Sequence, residues 1–183
     1  LGQEFHAYAS AVARDRKRIT NALKEMLVVN MSATAIGTGI NSSEYFFNNI
    51  VPTLSEVCGL PLTQCEDMID GTQNIDAFSV VSSSLKTCAI SLSKMSNDIR
   101  LMNGGPKAGL AEITIPAKQN GSSIMPGKIN PVIPEVMNQC CFAVMGNDFT
   151  VTMACEAGQL ELNAFEPVVF NRIFDSIKLL KNG

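Results

Sequence analysis

The chain has 183 residues, 46% of them hydrophobic and 17% charged, with a mean hydropathy of +0.15, which supplies one sizeable core and excludes a disordered or low-complexity chain. Lys and Arg number 14 against 17 Asp and Glu, a net charge of −3 with no basic stripe, so a phosphate-neutralising nucleic-acid surface is excluded as well. Aromatic content of 6%, no Trp and 9 Met beside many Ser and Ala point to an all-α chain whose helices pack through small side chains.

The first residues, Leu1-Gly2-Gln3-Glu4, show neither an initiator Met nor a basic-then-apolar leader. The expectation is a soluble, cytoplasmic piece of something longer, without a targeting peptide. Over residues 5 to about 29, Val12, Ile19, Leu23 and Met26 recur at helical spacing. They predict an amphipathic helix on which Arg14, Arg16, Lys17 and Arg18 form a solvated face. The longest uncharged stretch, residues 26–43, carries Asn30, Thr34, Gly37, Thr38, Gly39 and Asn41. It is no membrane span of ~20 apolar residues, and residues 33–41 must be a loop. A second helix runs over residues 43–58, with Ser43 as N-cap, Gly59 at the C′ position and Pro61 preventing resumption.

The clearest periodicity lies in residues 72–102, where Phe78, Val81, Leu85, Cys88, Leu92, Met95 and Ile99 step by three and four. This is a coiled-coil-like seam. Ser and Ala fill the other faces, so further helices can approach on several sides. Gly104-Gly105-Pro106 end this helix, and Gly109, Pro116, Gly121, Pro126 and Gly127 break up the chain as far as residue 130. A loop of that length in a compact domain is usually functional. Asn130 and Pro131 read as N-cap and N1 of a fourth helix reaching about residue 153, apolar nearly all round and so placed mid-bundle. After Gly158 a fifth helical segment extends to about residue 181, with Pro167 near its start or at a kink. The fold expected is an elongated bundle of about five helices with one long loop.

The 6 cysteines form no CxxC pair, and the lone His6 has no Cys or His at metal-ligand spacing. No metal site is expected, and the thiols read as reduced core filler. The long loop ends in Gly121-Ser122-Ser123-Ile124-Met125-Pro126-Gly127-Lys128-Ile129-Asn130-Pro131. It is not a P-loop, because five residues separate its glycines and Ile129 follows the Lys. It does deliver two hydroxyls, a glycine-exposed backbone, an ammonium and an amide to a helix N-terminus, a set suited to a carboxylate. A Ser acting beyond hydrogen bonding needs activation, which backbone N–H groups and the Lys128 charge supply by stabilising an alkoxide. A non-catalytic helical oligomerisation module remains the alternative.

This block resembles the signature of the aspartase/fumarase superfamily. The resemblance continues through Ser96-Asn97-Asp98-Ile99-Arg100, Gly105-Pro106-Lys107-Ala108-Gly109-Leu110, Gly146-Asn147-Asp148 and Leu160-Glu161-Leu162-Asn163. Within it, residues 130–139 and 156–163 look more like aspartate ammonia-lyases than fumarate hydratases. The resemblance implies reversible elimination of ammonia from L-aspartate to give fumarate, without an organic cofactor. It makes Ser122 the base, with Ser123 the weaker candidate for that role and a substrate contact. It places Lys128 and Asn130 on the substrate carboxylate and Glu135 beside a His contributed by another subunit. It also implies a homotetramer built through the helix bundle, with an active site shared by three subunits. On the same footing residues 1–183 correspond to the central helical domain, and the N-terminal segments with the His and other substrate contacts, and the C-terminal domain, lie outside the chain. His6 sits after the segment that carries the family's His and does not take its role.

Overall fold

The computed structural model describes residues 1–121 and 124–183. In chain order its elements are α1 (Gly2–Ala22), β1 (Val28–Val29), α2 (Glu44–Cys58), β2 (Thr63–Gln64), α3 (Asp70–Gln73), α4 (Asp76–Asn103), α5 (Val132–Glu156) and α6 (Glu166–Asn182). The all-α expectation holds. The first predicted helix stops at Ala22 rather than near residue 29, because the β-branched pair Val28 and Val29 is drawn into a two-residue parallel ladder with Thr63 and Gln64. That ladder, the 3-10 turn Glu25–Leu27 and the single-turn α3 are additions to the predicted elements. The second helix forms as predicted. The Ser43 hydroxyl accepts from the Phe46 N–H, and Gly59 closes the other end in the left-handed region at φ 65°.

Four long helices make the body, and cross-helix hydrogen bonds fix their directions. Ser82 bonds Asp148 and Ser93 bonds Asn138, so α4 and α5 run antiparallel. Asn147 bonds Ser176 while Asn163 bonds back to Ala154, so α6 reverses again. Tyr8 reaches Asp98, laying the start of α1 beside the end of α4. The core is built from Val81, Leu85 and Ala89 of α4, Cys141, Val144 and Val151 of α5, and Val169 and Ile173 of α6.

The predicted seam of α4 is only partly the buried face. Val81 and Leu85 are buried, but Cys88, Leu92, Met95 and Ile99 are half-exposed, while Ser82, Ser84, Ala89, Ser93 and Ser96 are buried. Small side chains let the neighbouring backbones come close. Their hydroxyls are satisfied along the helix, Ser84 to the Val81 carbonyl and Ser96 to the Leu92 carbonyl, or across it to Asp148.

The fourth helix begins at Val132 with Pro131 in the cap position, one residue later than predicted, and no side chain caps it. The fifth begins only at Glu166, with Pro167 in its first turn. Residues 157–165 are spent reversing the chain. Asn163, buried, donates to the carbonyls of Ala154 and Cys155 at 2.9 and 3.2 Å and accepts the Phe165 N–H at 2.9 Å. It thereby satisfies carbonyls that the end of α5 leaves open. The cysteines are all free thiols. Burial pushes Cys141 up to about 11 and raises Cys65, Cys88 and Cys155 in the same direction, as filler thiols require. Cys58 departs from that reading, being exposed at the end of α2. Among the described residues no helix is long and apolar enough to cross a membrane.

Candidate active site

The loop between α4 and α5 is anchored at both ends. At its start the chain folds back onto the last turn of α4. The Ala111 N–H donates to the Gly104 carbonyl at 2.7 Å, Glu112 N–H to the Met102 carbonyl at 2.9 Å and Ile115 N–H to the Asn103 side chain at 2.9 Å. Carbonyls stranded at the helix end are thus occupied by the loop itself.

Further on, the Lys128 N–H donates to the Met125 carbonyl at 3.1 Å, closing a turn in which Gly127 has φ 82°. Gly121 lies against that turn. A Cβ there would stand 2.7 Å from the Lys128 carbonyl oxygen, so only glycine permits the two strands of the loop to meet. Ser122 and Ser123, the candidate base and its neighbour, lie outside the described residues.

Lys128, Gly127 and Ile129 form one wall of a groove of about 690 Å³, whose other walls include Asn103, Thr114 and Pro116. Lys128 is exposed and is the charged residue among the described ones that line the groove. A groove with one ammonium, a Thr hydroxyl and a glycine-rich backbone suits a small anion. Asn130 is exposed just beyond it. Its carbonyl accepts the Val132 N–H at 2.9 Å. Because Pro131, not Asn130, holds the cap position, the Asn130 amide is not spent on starting the helix.

Glu135 sits in the first turn of α5, half-buried, with Oε1 3.8 Å from Arg100 Nη2. It does not line the groove. The structure thus brings Lys128 to the groove, leaves Asn130 at its margin and sets Glu135 against the end of α4. Arg100 stands in the sequence as part of the motif at residues 96–100, which marks no role for it. Its neighbours Glu135 and Asn138 are 35 and 38 positions away, and only the antiparallel packing of α4 on α5 joins them.

Fold and loop together define an all-α antiparallel bundle with one long inter-helix loop. A family model described as Lyase matches residues 1–146, and the chain belongs to this lyase family. It is 52% identical over its whole length to an aspartate ammonia-lyase of Bacillus sp, of which it covers 39%. It superposes with a TM-score of 0.95 on a crystal structure of a fumarate lyase:delta crystallin from Brucella melitensis bound to cobalt, at 46% identity, covering 100% of this chain and 40% of that one. A recombinant class II fumarase from Schistosoma mansoni gives a TM-score of 0.93 at 32% identity, covering 98% of this chain and 41% of that one. The chain spans between 35% and 39% of the length of curated relatives it matches.

Proposed function

We propose that residues 1–183 are the central helical and catalytic-loop domain of an aspartate ammonia-lyase, which eliminates ammonia from L-aspartate to give fumarate. The observation that carries the reading is identity of 52% to such an enzyme across the whole chain, loop included, with the loop's Lys128 in the lining of a groove. In the reaction Ser122 removes a proton from the carbon beside one carboxylate. The electron pair moves into that carboxylate as an aci-carboxylate, then returns to form the double bond and expels the protonated amino group from the neighbouring carbon as ammonia. Lys128, Asn130 and Ser123 hold the substrate, and the first two gain interaction as negative charge builds up. Glu135 orients a His from another subunit. Association of four copies through the bundle brings the shared site together.

The fumarase likeness supports a second reading, in which water rather than ammonia leaves and L-malate is the substrate. One assay separates them. Fumarate is followed by its ultraviolet absorbance while the complete polypeptide carrying this chain is supplied with L-aspartate or L-malate. Turnover of aspartate is expected. Turnover of malate alone moves the protein to the hydratases, and turnover of neither overturns both readings.

A further inference from the structure

Arg100 occupies the last turn of α4, and Glu135 the first turn of α5. Each charge suits its own helix end, since a cation stabilises the C-terminal carbonyls and an anion the N-terminal amides. The two ends lie side by side at the mouth of the loop. One arm of the guanidinium approaches Glu135, with Nη2 3.8 Å from Oε1. The other arm donates to Asn138, with Nη1 3.4 Å from Oδ1. Asn138 is itself held from inside the bundle. It is 4% exposed, and its Nδ2 donates to the Ser93 carbonyl at 3.0 Å and the Ser93 hydroxyl at 2.9 Å. A line of contacts therefore runs from the buried serine face of α4 through Asn138 and Arg100 to Glu135.

The side chains of Arg100 and Glu135 are 42% and 35% exposed, so an ion pair between them adds little to folding stability. What the arrangement does supply is direction. A planar fork tied to a buried amide brings its charge to within 3.8 Å of the carboxylate from a fixed place, which a flexible ammonium on a single attachment does not offer.

We propose that Arg100 is a positioning residue that fixes Glu135 for its work in the site, through the anchor of Asn138 on Ser93. The inference rests on the reading of Glu135 given above. The experiment is steady-state kinetics of the complete polypeptide, with whichever of L-aspartate or L-malate it turns over, for Arg100→Ala, Arg100→Lys, Glu135→Gln and the Arg100→Ala/Glu135→Gln double variant. Arg100→Ala is expected to lower kcat roughly tenfold, the cost of a misdirected group, with KM changed by less than about twofold. Arg100→Lys should recover part of the loss. The double variant should be no slower than Glu135→Gln alone, because Arg100 acts only through that carboxylate. A thermal melt accompanies each variant, and one unchanged in midpoint but slow in kcat separates positioning from folding.

Multiplicative losses in the double variant, or full kcat in Arg100→Ala, overturn the inference. Full kcat in Glu135→Gln overturns the role of Glu135 and the inference with it. A slow Glu135→Gln beside a normal Arg100→Ala overturns the inference alone. Where Arg100→Ala does not fold, Arg100→Lys carries the same cycle with Glu135→Gln, since it keeps the stem and charge and loses only the fork.

Discussion

The Lys128 backbone N–H is already committed to the turn with Met125, so what this groove-lining residue offers a ligand is its ammonium. In an elimination that gathers charge on a carboxylate, an ammonium there binds the transition state more strongly than the substrate. Lys128→Ala in the complete enzyme should therefore lower kcat on the order of a hundredfold and raise KM as well. Loss confined to KM would make Lys128 a plain substrate contact. A second residue-scale consequence lies outside the site. The Tyr8 hydroxyl donates to Asp98 Oδ2 at 2.8 Å, and Asp98 is also paired with Lys94. Partial desolvation, then the Asp98 bond, pushes Tyr8 up to about 12. A phenol of raised pKa keeps its proton in the folded chain after the unfolded chain has lost it. Stability from this group is thus complete below about pH 10 and falls as pH rises towards 12. Melting midpoints of the wild type should decline between about pH 10 and 12 more steeply than those of Tyr8→Phe, and identical slopes would refute the assignment.

At the scale of elements, α4 and α5 are registered by polar groups set into a small-residue face. Asp148, almost fully buried, accepts the Ser82 hydroxyl at 2.8 Å and pairs with Lys86 at 2.6 Å. Removing the carboxylate strands the hydroxyl inside, whereas Lys86, 38% exposed, regains water. Asp148→Ala should cost roughly 2 kcal/mol, below the range for breaking a fully buried pair, measurable by denaturant unfolding. A cost near zero would mean that apolar packing alone sets the register. This face also explains what the sequence conveyed and what it did not. Stepping of apolar residues from Phe78 to Ile99 announced a long helix, and Ser43 and Gly59 marked the ends of α2, because caps and periodicity are local chemistry. Which face of α4 is deepest was not local. Burial of Ser82, Ser93 and Ser96 depends on Asp148 and Asn138 arriving from a helix more than 40 residues on. The late start of α6 is similar, since it follows from Asn163 reaching back to the end of α5. In the loop, Gly121, Lys128 and Asn130 were legible as types at a spacing. The approach of Arg100 to Glu135 was not, for it exists only once the two helices lie antiparallel.

At the scale of the whole molecule, α5 carries more apolar surface than one chain can cover. Its inner face, with Cys141, Val144 and Val151, is fully buried, whereas Phe142 and Phe149 on its outer side are 59% and 67% exposed, with Met153 beside them. These three fall at positions i, i+7 and i+11, one stripe of a helix. Phe174 of α6 adds a further exposed ring at 66%. Stripes of this kind in water belong to interfaces, and closed symmetric assembly is the usual way a helical chain covers them. The proposed association of four copies makes a specific demand on Phe149. Phe149→Asp would place an unpaired carboxylate in a dry contact, at a cost of several kcal/mol, while leaving the inner face of α5 untouched. Light scattering after size exclusion should show the unmodified chain as an oligomer and Phe149→Asp as a smaller species that keeps its helical circular dichroism. A monodisperse, stable monomer from the unmodified chain would end the assembly reading. An oligomer that survives Phe149→Asp would move the interface to another face of the bundle.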